Sequence, residues 1–164
     1  MKFVSIVIST KNDYEVMQEC AAILEKFGVP YELVISSAHR SPERTKNYIK
    51  NAEDKGAQVF IAAAGMAAHL AGALAAATTK PVLGVPMARG ELRGQDALLS
   101  TVMMPSGMPV GTLSIGKEGA KNAAYLAIQI MALEDDELKV KLQEDRISKA
   151  KRIELDSSSV EVIL

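Results

Sequence analysis

The stretch Tyr31-Glu32-Leu33-Val34-Ile35-Ser36-Ser37-Ala38-His39-Arg40-Ser41-Pro42-Glu43 decides the fold. Its first five residues form a short, mostly apolar run, which predicts a strand. Ser41 followed by proline in the first helical turn predicts a helix that begins there and runs to Gly56. Between strand and helix stand a histidine and an arginine, and the whole chain has only two histidines.

The same strand-then-helix unit recurs on both sides. Phe3 to Ile8 reads as a buried strand, and Asn12 and Asp13 offer capping chemistry to a helix whose apolar residues Val16, Met17, Cys20, Ile23, Leu24 and Phe27 recur at helical spacing up to Gly28. Val59 to Ala63 predicts a third strand and Ala67 to Ala77 a helix of small residues. Pro81 to Val85 is a fourth strand, Arg89 to Gly94 a polar loop, and Gln95 the start of a short helix. Pro109 to Ile115 predicts a fifth strand, followed by helices over 118–133 and 135–153. Strands alternating with helices require right-handed crossovers and a parallel sheet covered on both faces. The expectation is an α/β fold, a doubly wound parallel sheet of flavodoxin or Rossmann type in three layers. It is expected as one domain over residues 1–155, with a flexible tail over 156–164.

Totals narrow the partners. With 164 residues, 48% hydrophobic and 24% charged, the chain can bury a core of its own. A net charge of -1 argues against nucleic acid as partner, so an anionic ligand must be held locally. The single cysteine, Cys20, excludes an internal disulfide and fits a reducing, cytoplasmic setting. The run before Ser9 is too short for a signal peptide's apolar core. Residues 61–77, with Gly65, His69 and Gly72 among them, are too weakly apolar to span a membrane.

In a doubly wound sheet, ligands bind outside the carboxyl ends of the strands. Three polar clusters fall there: Ser9 to Asp13, Ser36 to Arg40, and Ala64 to His69. They lack the G-x-G-x-x-G of a dinucleotide site, the Lys-Ser or Lys-Thr of a P-loop, and the aspartate that ends a receiver's third strand. Aromatic residues at 4% with no tryptophan disfavour a flavin, and two histidines without clustered carboxylates disfavour a metal, so no cofactor is expected. The remaining groups suit a phosphorylated ribose. Arg40 offers a fork of donors for phosphate, Thr10 and Ser37 offer hydroxyls, and Asp13 can accept from two neighbouring ribose hydroxyls. Asn12 and Ser41 are equally well explained as helix caps. His39 lies in a loop where no apolar periodicity demands a ring, and imidazole titrates near neutrality, so it is the candidate for general acid-base work. His69, among small residues, reads more readily as a buried ring bonded to a backbone carbonyl.

Taken together the clusters resemble the PurE family of purine biosynthesis over residues 3–133. Ser9-Thr10-Lys11-Asn12-Asp13-Tyr14 resembles the family's G-S-x-S-D-W, and Ser37-Ala38-His39-Arg40-Ser41-Pro42 its S-A-H-R-T-P. Residues 63–72 resemble G-A-G-G-A-A-H-L-P-G, 81–86 match P-V-L-G-V-P, and 92–100 resemble L-x-G-x-D-S-L-L-S with Ala97 in the serine's place. The resemblance implies a homo-octameric N5-carboxyaminoimidazole ribonucleotide mutase, an isomerase moving a carboxyl group from the exocyclic nitrogen to ring carbon C4. It assigns His39 to the proton, Thr10, Ser37 and Arg40 to the phosphate side, and Asp13 to the ribose. Asn12 and Ala38 fall within the same motifs, and Gly65, Ala67, His69 and Leu70 match the wall beside the base and carboxylate. Arg40 and His69 favour the bacterial mutase over the animal-type carboxylases, which resemble S-A-H-K and lack A-A-H-L. The chain departs from the pattern at Ser9, Asn12, Ala63, Met66, Ala71 and Met103. A methionine at 66, where the family has glycine, either fills the base pocket or changes the backbone angle there. The alternative reading is therefore a divergent relative that binds a ribonucleotide without this reaction, or carboxylates or decarboxylates a related one. Space for an imidazole ring beside His39 separates the two.

Overall fold

The computed structural model describes residues 1–163. Five strands, β1 (Phe3–Ile8), β2 (Tyr31–Ile35), β3 (Ala57–Gly65), β4 (Val82–Met87) and β5 (Gly111–Thr112), form one parallel sheet in the order β2-β1-β3-β4-β5. This is the flavodoxin strand order, and the order reverses between β1 and β3. Helices α1 (Tyr14–Phe27), α2 (Pro42–Lys55), α3 (Leu70–Ala77) and α4 (Gln95–Val102) make the crossovers. After β5 come α5 (Lys117–Met131), a 3-10 turn (Ala132–Glu134) and α6 (Asp136–Ser158).

Local sequence explains these elements. Every residue of β1 and β4 is buried, as a central parallel strand covered on both faces requires. Residues Met17, Cys20, Ala21, Leu24 and Phe27 form the buried stripe of α1, and Gly28 closes that helix at a φ of 71°, the left-handed region that glycine enters at little cost. Burial pushes the Cys20 thiol up to about 12, which makes it an inert core residue. On the α2–α3 side, Phe3, Val7, Ile49, Phe60, Leu70 and Leu74 share one apolar cluster. Polar residues inside are paired: Ser5 bonds the Tyr48 hydroxyl at 2.8 Å, and Ser36 bonds Thr45 at 2.7 Å.

Several boundaries differ from the reading above. Strand β3 extends to Gly65, and α3 starts only at Leu70, because residues 66–69 form the turn that builds the rim. The fifth strand shrinks to Gly111–Thr112, since Pro109 has no N–H to give and the chain turns at Gly116, φ 80°. Pairing persists past it as single bonds, Leu113 N–H to the Gly84 carbonyl and Gly116 N–H to that of Pro86, both at 2.9 Å. Asp135 caps α6 by accepting from the Leu138 N–H at 3.1 Å. That helix runs to Ser158, beyond the expected boundary at 155, because an Arg152–Asp156 ion pair at 3.1 Å spans its last turn and Ser158 and Ser159 hydroxyls bond nearby carbonyls. Of the expected tail, Leu164 lies outside the described residues. The chain resolves into two compact units, one over residues 1–128 and one from Gln129 onward.

Phe60 is fully buried at the centre of the sheet. Phe60→Ala is expected to lower unfolding free energy by about 3–5 kcal/mol, read as a shifted urea midpoint with an unchanged slope.

Candidate active site

Because the order reverses between β1 and β3, the chain leaves these neighbouring strands toward opposite faces, and a crevice opens at their carboxyl ends. Backbone bonds hold the crevice: Ser9 N–H to the Ala63 carbonyl and Ser36 N–H to that of Ile8, each at 3.0 Å. A cavity of about 340 Å³ sits there, near the lower end for small-molecule sites. Of the residues expected from the sequence, Thr10, Ser37, Ala38, His39, Arg40, Gly65, Ala67, His69 and Leu70 line it. The two that do not are Asn12 and Asp13.

The β2–α2 loop is shaped by its serines. Ser41 occupies the N-cap position of α2 but makes no capping bond, correcting the capping role read for it. Its hydroxyl instead accepts from the Ser37 N–H at 3.0 Å and donates to the Ser37 carbonyl at 3.1 Å. The Ser37 hydroxyl accepts from the Arg40 N–H at 3.1 Å, and its own proton remains for a ligand. The resulting tight turn presents His39 and Arg40, both exposed, to the crevice.

His69 is exposed and its ring lies against that of His39, centroids 5.3 Å apart and planes inclined by 34°. That corrects its reading as a buried ring bonded to a carbonyl; the turn ahead of α3 lifts it out of the core. This turn is pinned from α4, where the Ser100 hydroxyl accepts from the Ala68 N–H at 2.9 Å and donates to the Met66 carbonyl at 3.3 Å. Met66 takes a φ of 58° and leaves its side chain 57% exposed at the rim. The backbone thus keeps the conformation glycine would adopt there, at a cost of about 1–2 kcal/mol, and the cavity beside His39 stays open.

Asn12 is exposed in a 3-10 turn, Lys11–Asp13, and neither it nor Asp13 makes a capping bond, correcting the capping chemistry assigned to both. Asp13 is 1% exposed, accepts from the Ser9 hydroxyl at 3.0 Å and faces Arg89 Nε at 3.4 Å. Burial holds its carboxyl above the ordinary carboxylate value of 3.8, while Arg89, the Ser9 hydroxyl and the Thr10 backbone pull it back only in part. Arg89, which follows β4 and also lines the cavity, was missed in the sequence. Its only signal was an arginine directly after the fourth strand's carboxyl end. Among the described residues no three His, Cys, Asp or Glu side chains gather as a metal site.

A flavodoxin-order sheet whose switch-point crevice carries paired histidines, arginines and hydroxyls places together groups able to hold an anion and to move a proton. The chain belongs to the AIR carboxylase family, whose model matches residues 3–152. It is 52% identical over 140 residues to the N5-carboxyaminoimidazole ribonucleotide mutase of Pyrococcus horikoshii, covering 85% of this chain and 78% of that protein. It is 50% identical over 143 residues to the mutase of the same name from Escherichia coli, covering 87% and 85%, and 47% identical over 155 residues to that of Bacillus subtilis, covering 94% and 95%. The crystal structure of Treponema denticola PurE superposes with a TM-score of 0.89 at 27% identity, covering 99% of this chain and 100% of that one.

Burial of Asp13 makes the stability of the fold depend on pH. The folded state binds this proton more tightly than the unfolded state, so the group's contribution to stability is largest below 3.8 and is lost as pH rises through the raised folded value. Asp13→Asn is expected to be more resistant to urea than the parent at pH 7 and to lose that advantage near pH 3.8; unfolding curves at the two pH values check it.

Proposed function

We propose that this protein is an N5-carboxyaminoimidazole ribonucleotide mutase. The observation that carries the reading is the contact of His39 with His69 at the mouth of a cavity floored by Thr10, Ser37 and Gly65. The roughly half identity to three mutases over most of the chain supports it.

The chemistry follows from the residues. Arg40, on the tight Ser37–Ser41 turn, and the free hydroxyl protons of Thr10 and Ser37 hold the phosphate. Asp13, buried behind the cavity-lining Ser9 and Arg89, is ionised and accepts from the ribose hydroxyls once those two partners turn to the ligand. This leaves the imidazole ring beside His39, with His69 stacked behind to fix its plane. The N–C bond of the carbamate breaks, carbon dioxide is released, and the nitrogen takes a proton from His39. Carbon C4 then attacks the trapped carbon dioxide, and His39 recovers the proton that C4 sheds. No proton or electron is consumed overall. Holding carbon dioxide against C4 is a proximity effect that demands a closed site. His39, His69 and Met66 are exposed in the single chain, which supports closure by further copies in a homo-octamer. The lone reduced thiol of Cys20 supports a cytoplasmic setting. No helix among the described residues is long and apolar enough to cross a membrane.

The test mixes purified protein with freshly prepared N5-carboxyaminoimidazole ribonucleotide, without ATP or metal, and follows the ultraviolet absorbance of the C4-carboxylated product. Conversion is expected in the parent, and His39→Asn is expected to lower kcat by about a hundredfold or more while product affinity changes less than about threefold. Nucleotide binding without conversion in the parent would mean that the phosphate site persists with different chemistry. A second expectation concerns pH. Because Asp13 titrates above 3.8 and must be ionised to accept from the ribose, kcat/KM is expected to fall with acid through a window lying above 3.8, and this limb is expected to be absent in Asp13→Asn.

A further inference from the structure

Arg89 reaches from the end of β4 across β3 to the end of β1. Its guanidinium lies over Gly65 so closely that a Cβ there would stand 2.5 Å from Nε and 2.9 Å from Nη2. Nη1 donates to the Thr10 hydroxyl at 3.1 Å and Nη2 to the Ser9 hydroxyl at 3.3 Å. Nε is buried and makes no formed hydrogen bond, although Asp13 Oδ1 is 3.4 Å away. The pair is therefore held by charge more than by a directed bond, and a head drawn toward an anion exchanges only its two hydroxyl bonds, to Thr10 and Ser9, for charge-assisted ones. The five N–H groups of a guanidinium exceed those in use here, and the side chain is 28% exposed where it lines the cavity.

The site has a charge problem that this arrangement solves. A phosphate monoester approaches two negative charges near pH 7, and the chain as a whole carries -1. Arg40 supplies one positive charge from an exposed loop, while the buried Asp13 carboxylate beside Thr10 repels the incoming phosphate. Arg89 stands between Asp13 and the Thr10 hydroxyl, so it neutralises the first and can bond the phosphate at the second.

We propose that Arg89 is a substrate-binding residue, holding the phosphate of the ribonucleotide jointly with Arg40, and that its ion pair with Asp13 keeps it aimed into the crevice while the site is empty. The assignment rests on the ribonucleotide reading above. Gly65 is bare because this guanidinium crosses it.

The experiment measures binding of ribose 5-phosphate by titration calorimetry to the full chain and to Arg89→Met, Arg89→Lys and Gly65→Ala, alongside the mutase assay. Arg89→Met is expected to weaken binding about tenfold or more, Arg89→Lys to recover part of that loss, and Gly65→Ala, which shifts the head without removing charge, to weaken binding to an intermediate degree. In turnover, KM is expected to rise with the dissociation constant while kcat stays within about threefold. The acid limb of kcat/KM is expected to move to higher pH in Arg89→Met, because the attraction that lowers the Asp13 carboxyl is gone; Ser9 and the Thr10 backbone are the other groups facing it. That shift reads the ion pair alone, which a purely structural arginine would also make; the phosphate contact is read by comparing ligands, since binding of ribose, which has no phosphate, is expected to be unchanged in Arg89→Met while binding of ribose 5-phosphate weakens. If Arg89→Met fails to fold with Asp13 unpaired, the double variant Asp13→Asn/Arg89→Met is compared with Asp13→Asn alone, and the same weakening of ribose 5-phosphate binding is expected between those two. Ribose 5-phosphate binding that equals the parent's in the folded variant, or no binding in the parent, overturns the assignment. Binding that depends on Arg89 without conversion of the carbamate overturns the mutase reading and leaves the assignment standing.

Discussion

The reversal of strand order between β1 and β3 is the constraint on which the rest depends. Right-handed crossovers send the chain from β1 toward β2 and from β3 toward β4, so α1 and α3 fall on opposite faces of the sheet. Two adjacent strands therefore end in loops that diverge. The gap between them is lined by residues at or just after the carboxyl ends of β1 to β4.

That geometry explains why so few polar residues suffice. Four of the five strands each contribute one short cluster: Ser9 and Thr10 after β1, His39 and Arg40 after β2, Met66, Ala67 and His69 after β3, and Arg89 after β4. The ladder holds neighbouring strand ends about 5 Å apart, so β2 and β3, on either side of β1, end about 10 Å apart, and the loops that follow them bring an imidazole against an imidazole. Small residues complete the design. Glycine at 65 admits a guanidinium, and Ala64 beside it lines the crevice without bulk. Stability and the proposed ribose contact pull against each other at Asp13, where burial disfavours the ionised form that the contact would need.

Met66 illustrates how a departure from family pattern can be absorbed. The turn needs a left-handed residue, and a methionine can occupy that region at a modest cost while its side chain lines the cavity's exposed rim. Ser100 on α4 holds the carbonyl and N–H on either side of this turn, so the neighbouring element supplies what the local sequence lacks.

Period and punctuation in the sequence were enough to place five strands, their crossover helices and the three polar clusters, because buried parallel strands and amphipathic helices write their spacing directly into the chain. His39, Arg40, Thr10 and Ser37 were legible for the same reason: each follows a strand and precedes a helix. The extent of β5 was not, since its pairing depends on where β4 offers free carbonyls. The exposure of His69 and the replacement of caps by the Ser37–Ser41 turn were hidden as well, because hydrogen-bond partners are chosen by three-dimensional neighbours. Arg89 shows the limit most clearly. Its partners Ser9, Thr10 and Asp13 lie at least 76 residues away in the chain, and only the adjacency of strands brings a charge from β4 to the carboxylate below β1.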